Sequence, residues 1–544
     1  CISQWHAKNN YEVDIMTKKI MRSLVPALVL SLAAGSLAGC GSNQTTTDTT
    51  AAQGGAAGTT TEASKDGGAA STKDTLIIAT ANETPSLTTN LHNATAGDYI
   101  NQMTHNGLFV ITEDLSTVPA LCESYEILSD TEWLFHLRKG VKFHNGMEMT
   151  AKDVKASLEL CKESPMVSQY GKSTGTIEVV DDYTVKITTD GPQSGLLCDL
   201  CHHGNAILPA ELIESGHDFN KEPIGTGPYK VVAWNKGESV ELEAFEDYWG
   251  GAPAIKHVTW KIIPEGSSRT MALEAGEVDY ISEVETTDIG RLMDNPNITV
   301  YNKAGTTQNW LMMNNEKAPF DNKDFRRAID AAIDKQAVIQ VALSGNASVS
   351  DSLAPECFPG VVADGAPSFD AEKAKEYMAA SGLNPADCGF SIICSDDTKL
   401  RMGQVIQSCL KETLGIDVTL ESMDLATYLD QTASGDYQTA IGGYTSSNLL
   451  AFSTGVYHSI SINGSNKTRT NSATIDGLIE KLQATLDPEE NLKVATELSK
   501  ALNEECAQVP LFVKNDIRAY NAKIQGFNMN PGGDTRIEKY YWAE

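Results

Sequence analysis

Cys198-Asp199-Leu200-Cys201-His202 is the stretch of this sequence whose residue types and spacing best match redox or metal chemistry. Two thiols three residues apart, with an imidazole beside the second, fit the C-x-x-C-H pattern that attaches a c-type haem. Thiolates beside a histidine also suit soft metal ions. Against both stands the ordinary reading, packing or a local disulfide. That reading is favoured, because no axial Met or second paired motif stands nearby and so short a pattern arises readily by chance. The remaining catalytic signatures are missing. There is no G-x-S-x-G elbow, no H-E-x-x-H and no G-x-x-x-x-G-K-[ST] phosphate loop. Gly225-Thr226-Gly227-Pro228 is glycine-rich but leads into a strand, so it is read as a turn. The chain is therefore not expected to be an enzyme, and no cofactor or metal is assigned to it.

The other chemically marked cysteine is Cys40. Lys18, Lys19 and Arg22 precede an apolar run from Leu24 to Ala34, too short to span a bilayer permanently, which ends in Leu37-Ala38-Gly39-Cys40. Small residues before a cysteine allow a peptidase to cut there and leave Cys40 carrying diacylglycerol, so 16–39 reads as a lipoprotein signal peptide. Residues 1–15 read as an upstream segment outside the protein proper. From Gly41 to Asp74 almost nothing is apolar, and such a stretch cannot offset its ordering entropy by burial. Residues 40–74 are thus expected to be a lipidated cysteine and a flexible linker. They would hold a globular body at the extracellular face of a cytoplasmic membrane, or in a periplasm. With 42 Lys+Arg against 72 Asp+Glu, a net charge of -30, the chain lacks the basic stripe that nucleic acid requires. The other cysteines are scattered and are expected to be buried or half-buried free thiols.

The elements that must carry any site alternate between strand and helix. Thr75 to Thr80 reads as the first strand, and Glu132 to Leu137 alternates Trp133, Phe135 and Leu137 against polar residues. Asn145-Gly146 predicts a type I′ turn, and Thr150 with Asp153 a capping box for a helix carrying Val154, Leu158 and Cys161 on one face. Strands follow at Tyr229 to Trp234, Val240 to Ala244 and Val258 to Ile262. Helices are predicted over Asp324 to Ile333, over Leu400 to Leu414 and from Pro488 to Glu505. A chain of 544 residues with this alternation is a two-lobed α/β protein with mixed sheets.

Several blocks are recognisable. Thr131 to Gly146 (TEWLFHLRKGVKFHNG), followed by Thr150-Ala151-Lys152-Asp153-Val154, resembles the signature of the oligopeptide, dipeptide and nickel-binding lipoproteins of ABC transporters, solute-binding family 5. Pro223 to Lys230 (PIGTGPYK), Asp247 to Pro253 (DYWGGAP), Leu273 to Asp279 (LEAGEVD) and Asn314 to Phe320 (NNEKAPF) follow in the family's order. The resemblance spans about residues 75–544. It implies a periplasmic-binding-protein-like fold of type II, cluster C. Lobe I would comprise 75–98, 205–304 and 508–544, an insert lobe 99–204, and lobe II 305–507. Solute would bind between lobes I and II, which close about two crossing strands. The implied partners are a peptide, membrane permease subunits and separate ATPase subunits, with the receptor itself a monomer. The family's non-peptide branch, carrying a nickel chelate, an oligosaccharide or another small solute, is the alternative.

Carried over by position, the resemblance implies ligand contacts at Glu83 and Thr84 after the first strand, and at Thr307, Gln308 and Trp310 on the strand leaving the hinge. It also implies contacts at Gly443, Tyr444 and Ser447. The last three lie in a loop, Gly443-Tyr444-Thr445-Ser446-Ser447, that resembles the family's Gly-Trp-x-x-Asp, whose Asp holds a peptide's α-amino group. Ser447 departs from that pattern, since a hydroxyl cannot give an ammonium the charge-assisted bond of a carboxylate. A substitute carboxylate is then required, with Glu83, Asp396 and Asp397 as candidates. Trp310 and Tyr444 are expected to face each other across or along the crevice, with packing as core aromatics the alternative reading for each.

Overall fold

The computed structural model describes residues 73–366 and 368–543; the signal-like segment, Cys40 and nearly all of the linker lie outside them. An eleven-stranded mixed sheet runs through the whole body. One wing holds Thr75–Thr80 between His257–Ile262 and Tyr280–Ile281, with Ser239–Ala244 and Tyr229–Asn235 continuing to the edge. The other wing holds Thr439–Thr445, Phe390–Cys394 and Val418–Ser422. Two long antiparallel strands, Ile298–Met313 and Gln508–Asn521, belong to both wings.

The register of these two strands shows where the wings join. Ile298 to Ala304 pair with Asn521 to Asn515, and Gln308 to Met312 pair with Val513 to Gln508, with a shift between Ala304 and Gln308. Beyond that shift Thr307 to Met313 also pair with Thr445 to Thr439. The bulge at Gly305 to Thr307, which has no partner on the second long strand, sharpens the local twist where the wings join.

Each wing has its own core. Leu76, Ile78, Tyr229, Leu242, Val258 and Trp260 pack together in the first, and the helix Thr95–Thr104 adds Tyr99, Ile100 and Met103. That helix runs across the 98/99 junction expected from the resemblance. In the second wing, Leu311, Phe325, Ile329, Ile392, Ile406 and Leu511 form one cluster, and Trp310, Phe358, Phe452, Tyr457 and Leu498 another. A separate four-stranded sheet, Cys122–Ile127, Glu132–Leu137, Thr184–Thr188 and Thr176–Asp181, packs against the helix Ala151–Glu163. Trp133, Phe135 and Leu137 all point into that core, as their alternation predicts. Each such side chain contributes roughly 1.5–3 kcal/mol by leaving water.

Local chemistry follows the sequence closely, with a few corrections. Thr150 and Asp153 form the capping box, Asp153 Oδ2 accepting the Thr150 N–H at 2.7 Å. Asn145-Gly146 is not a type I′ turn, because only Gly146 has a positive φ (87°). Gly146 N–H donates to Phe143 O and Phe143 N–H to Met147 O, a turn closed by a glycine bulge. The glycines of the Pro223 to Lys230 block are there for close approach: a Cβ on Gly225 would lie 2.2 Å from Thr104 O, and one on Gly227 2.4 Å from Thr104 C. The block locks the strand Tyr229–Asn235 against the end of the helix Thr95–Thr104. All nine described cysteines are free thiols, five of them buried.

Candidate functional site

The two wings meet again away from the long strands. Ser194 donates through its N–H to Gln483 O at 2.9 Å and through its hydroxyl to Leu482 O at 2.8 Å. Asn448 Nδ2 donates to Cys198 Sγ at 3.2 Å, and Ser447 Oγ lies 3.9 Å from the same sulfur. Asn448 is fixed for this because its Oδ1 caps the helix Leu449–Val456 through Ala451 N–H. The segment around Cys198 therefore faces the Gly443 to Ser447 loop across a seam.

Of the residues expected to touch solute, Ser447 and Gly443 are exposed in that loop, and Tyr444 is half-buried. A Cβ on Gly443 would meet Asn309 Oδ1 at 2.7 Å and Gln308 O at 2.8 Å, so glycine is required by the neighbouring strand. Thr307 exchanges a hydroxyl hydrogen bond with Thr445 at 2.8 Å. The other expectations need correction. Gln308 is wholly buried, its Nε2 donating to Ser350 Oγ and Ser352 O inside the second wing. Trp310 is 3% exposed and stands edge-on to Phe452, and Tyr444 packs on the same Phe452 ring. Both aromatics thus belong to one wing's core and do not face each other across a crevice. Thr84 is buried, its hydroxyl donating to Ser86 O. Glu83 is occupied too, its Oε1 accepting Trp234 Nε1–H and Gly237 N–H at 3.0 Å each, which clamps the hairpin turn.

One of the substitute carboxylates fares the same way. Asp396 caps the helix Asp397–Leu414 and pairs with Lys399 at 2.9 Å, and Asp397 lies in that helix's first turn. Asp396 is therefore engaged, while Asp397 is exposed at the helix start. A further carboxylate is Asp534, in the loop after the strand Gln508–Asn521. It sits in a tight loop where Asn530 accepts Asp534 N–H at 3.0 Å and returns Nδ2–H to Asp534 Oδ2 at 2.9 Å. Gln102 Nε2, from the helix Thr95–Thr104, donates to Asp534 Oδ1 at 2.5 Å. Among the described residues, no lysine, arginine or histidine nitrogen pairs with it. Arg536, two residues on, is spent on Glu538 at 2.8 Å. Burial raises the Asp534 carboxyl above the ordinary carboxylate range, with the Asp98 charge acting in the same direction. Burial raises the Cys198 and Cys201 thiol pKa values, and the Asp534 charge adds to this in the same direction. The Asp534 side-chain oxygens are thus held by two neutral amides and no charge.

The same face carries a buried guanidinium. Arg518, on the strand Gln508–Asn521, donates to Tyr99 OH at 3.2 Å, while its Nε has no hydrogen-bond partner. Two surface hollows, of about 490 Å³ beside Phe369 and Cys409 and about 710 Å³ beside Pro319 and Gly382, are lined by the second wing alone and hold no residue of the seam.

The Cys198/Cys201/His202 triplet does not converge. His202 turns onto Tyr170, ring centroids 3.5 Å apart, and its Nδ1 accepts Gly204 N–H. Burial pushes both thiols up in pKa and, with His203 and His92, pushes the His202 imidazole down to about 2. Protonated thiols and an imidazole aimed elsewhere make neither a haem attachment nor a soft-metal site.

The profile of the bacterial extracellular solute-binding proteins, family 5 Middle, matches residues 116–459. The chain belongs to this family. Family 5 proteins are the solute receptors of ABC transporters, and the two-lobed α/β fold described above is theirs. Among curated relatives, the glutathione-binding protein GsiB of Salmonella paratyphi A is 26% identical over 471 residues, covering 81% of this chain and 89% of that protein. The probable D,D-dipeptide-binding periplasmic protein DdpA of Escherichia coli is 29% identical over 423 residues, covering 76% and 82%. HbpA2 of Haemophilus parasuis superposes with a TM-score of 0.80 at 23% identity over 86% of this chain and 100% of that one. The periplasmic binding protein DppA of Helicobacter pylori, solved with the peptide STSA, gives 0.67 at 26% identity over 87% and 99%.

For this family 5 member, sequence reasoning missed Asp534, Gln102 and Arg518. The turn signal Asn530-Pro531-Gly532-Gly533 announces a tight loop before Asp534. Nothing in the sequence places that loop against a helix more than four hundred residues earlier.

Proposed function

We propose that this protein is a peptide receptor, delivering peptides with a free α-amino end from the extracellular side to an ABC permease. The observation that carries the reading is Asp534, a half-buried carboxylate held by the neutral amides of Gln102 and Asn530 and paired with no cation among the described residues. A solute ammonium would supply the missing charge. The relatives named for glutathione and dipeptides, and the neighbour solved with STSA, support the same solute class. The reading assigns no catalytic step to this chain. It keeps Cys40, outside the described residues, as the lipid anchor, and a monomeric body tethered by 40–74.

Calorimetric titration with one tripeptide, free and N-acetylated, tests it. Tight binding of the free form and much weaker binding of the acetylated form is the expected result. Equal affinities, or tight binding of a neutral sugar with none of the peptide, would move the protein to the non-peptide branch.

A further inference from the structure

His92, Asp98 and His203 are brought together where the helix Thr95–Thr104 meets the turn His203–Asn205, and one ligand atom from each lies within 4.8 Å of the others. The hydrogen bonds around them decide which nitrogens are free. His203 Nε2 faces His92 O at 3.2 Å and must donate to it, which leaves the lone pair on His203 Nδ1. His92 Nδ1 accepts a long contact, 3.3 Å, from Ala94 N–H, so its proton is on Nε2. There the Asn101 amide lies 2.7 Å away, with an oxygen otherwise unpartnered. Turned toward the ring, that oxygen accepts the Nε2 proton.

Each imidazole therefore has one nitrogen hydrogen-bonded to a carbonyl, as metal-ligating histidines have; of the two remaining nitrogens, His203 Nδ1 faces no donor, and His92 Nδ1 accepts only the 3.3 Å contact from Ala94 N–H, which an ion would replace. Asp98 Oδ1 stands 2.8 Å from His203 Nδ1, yet the contact does not align as a hydrogen bond, and this oxygen is buried without a donor. A lone pair and a carboxylate oxygen at that distance repel unless a proton or a metal cation lies between them. Two donors at right angles on a first-row ion, each about 2.0–2.1 Å from it, are about 2.9 Å apart.

We propose that His92, Asp98 and His203 bind a divalent first-row transition ion of the zinc or nickel type, in a site separate from the ammonium receptor at Asp534. Two imidazoles and one carboxylate are a borderline donor set that favours such ions over magnesium or calcium. Three protein ligands leave at least one coordination position open. The stacking of His203 on His92, 4.7 Å between centroids, and of His202 on His203 holds both rings in place.

The purified full chain, stripped with a chelator, is titrated with zinc sulfate, and its cobalt(II) form is examined by absorption. One zinc per chain is expected. Asp98→Asn and His203→Gln should each weaken it by at least about 100-fold, the upper range for losing even an outer-shell partner. The cobalt form should show d–d bands without a thiolate charge-transfer band. Asp98→Asn, on a partly exposed side chain, keeps the test valid if His203→Gln fails to fold, and unchanged far-UV dichroism of the metal-free variant confirms its fold. The proposal is overturned by absence of stoichiometric zinc, by variants that bind like wild type, or by a strong sulfur-to-cobalt band. The readout is the metal itself, so the outcome does not depend on whether the solute is a peptide.

Discussion

Replacing Asp534 by Asn removes the one charge to which the proposed peptide amino group would bind, while preserving shape. The carboxylate is already half-buried in the free protein, held by Gln102 and Asn530, so part of its desolvation cost is met before ligand arrives. Its attraction for an ammonium about 4 Å away, at an effective dielectric of about 20, is about 4 kcal/mol. Desolvation of the incoming ammonium offsets part of this, which leaves about 2–4 kcal/mol, or roughly 30- to 1,000-fold in Kd. Titration calorimetry on wild type and Asp534→Asn, each with a free and an N-acetylated tripeptide, closes a double-mutant cycle. Wild type should prefer the free peptide by that factor, and the variant should bind the two forms alike. The variant should also be no less stable without ligand, since an uncompensated, half-buried charge has been removed. A variant that keeps wild-type affinity for the free peptide refutes the assignment. Equal loss for both peptides would show that Asp534 only supports the loop.

Other consequences are open to direct measurement. Affinity for a free peptide should fall at both pH extremes. Below neutrality it should fall as Asp534 takes up a proton, beginning above the ordinary carboxylate range because burial raises its pKa. Above about pH 8 it should fall as the α-amino group loses its charge; a flat profile between pH 4 and 9 would contradict this. Lys335→Met strands Asp330, whose Oδ1 lies 3.2 Å from the ammonium in a dry core and whose carboxyl burial already pushes up to about 6. Breaking that pair should cost about 3–5 kcal/mol in urea denaturation, with an Asp330→Leu partner change recovering most of it. Cys40→Ala should shift the protein from the detergent phase to the aqueous phase or medium, and full detergent partitioning of the variant would argue against lipidation.

What the sequence made legible was local and periodic. Trp133, Phe135 and Leu137 alternate into a core, and Thr150 with Asp153 caps a helix, because both rules act over a few residues. The family blocks revealed the scaffold for the same reason: the glycines at 225 and 227 answer a backbone contact that a Cβ would forbid. Which side chains face solute was less legible. Gln308 and Trp310 lie on the expected strand, but successive residues point to opposite faces and the pairing register sends both into the second wing's core. Glu83 looked free until the hairpin Tyr229–Asn235 to Ser239–Ala244 was folded over it. Asp534 reaches Gln102 across the whole chain length, a juxtaposition that only the long strand Gln508–Asn521 and the loop after it create.

The central claim, that this receptor takes peptides by their amino end, is tested most directly by the ligand the protein carries when purified under gentle conditions. Mass spectrometry of the small molecules released on denaturation should identify peptides with unmodified amino termini, absent from preparations of Asp534→Asn. A saccharide, a metal chelate without a peptide, or N-blocked peptides retained equally by the variant would contradict the account.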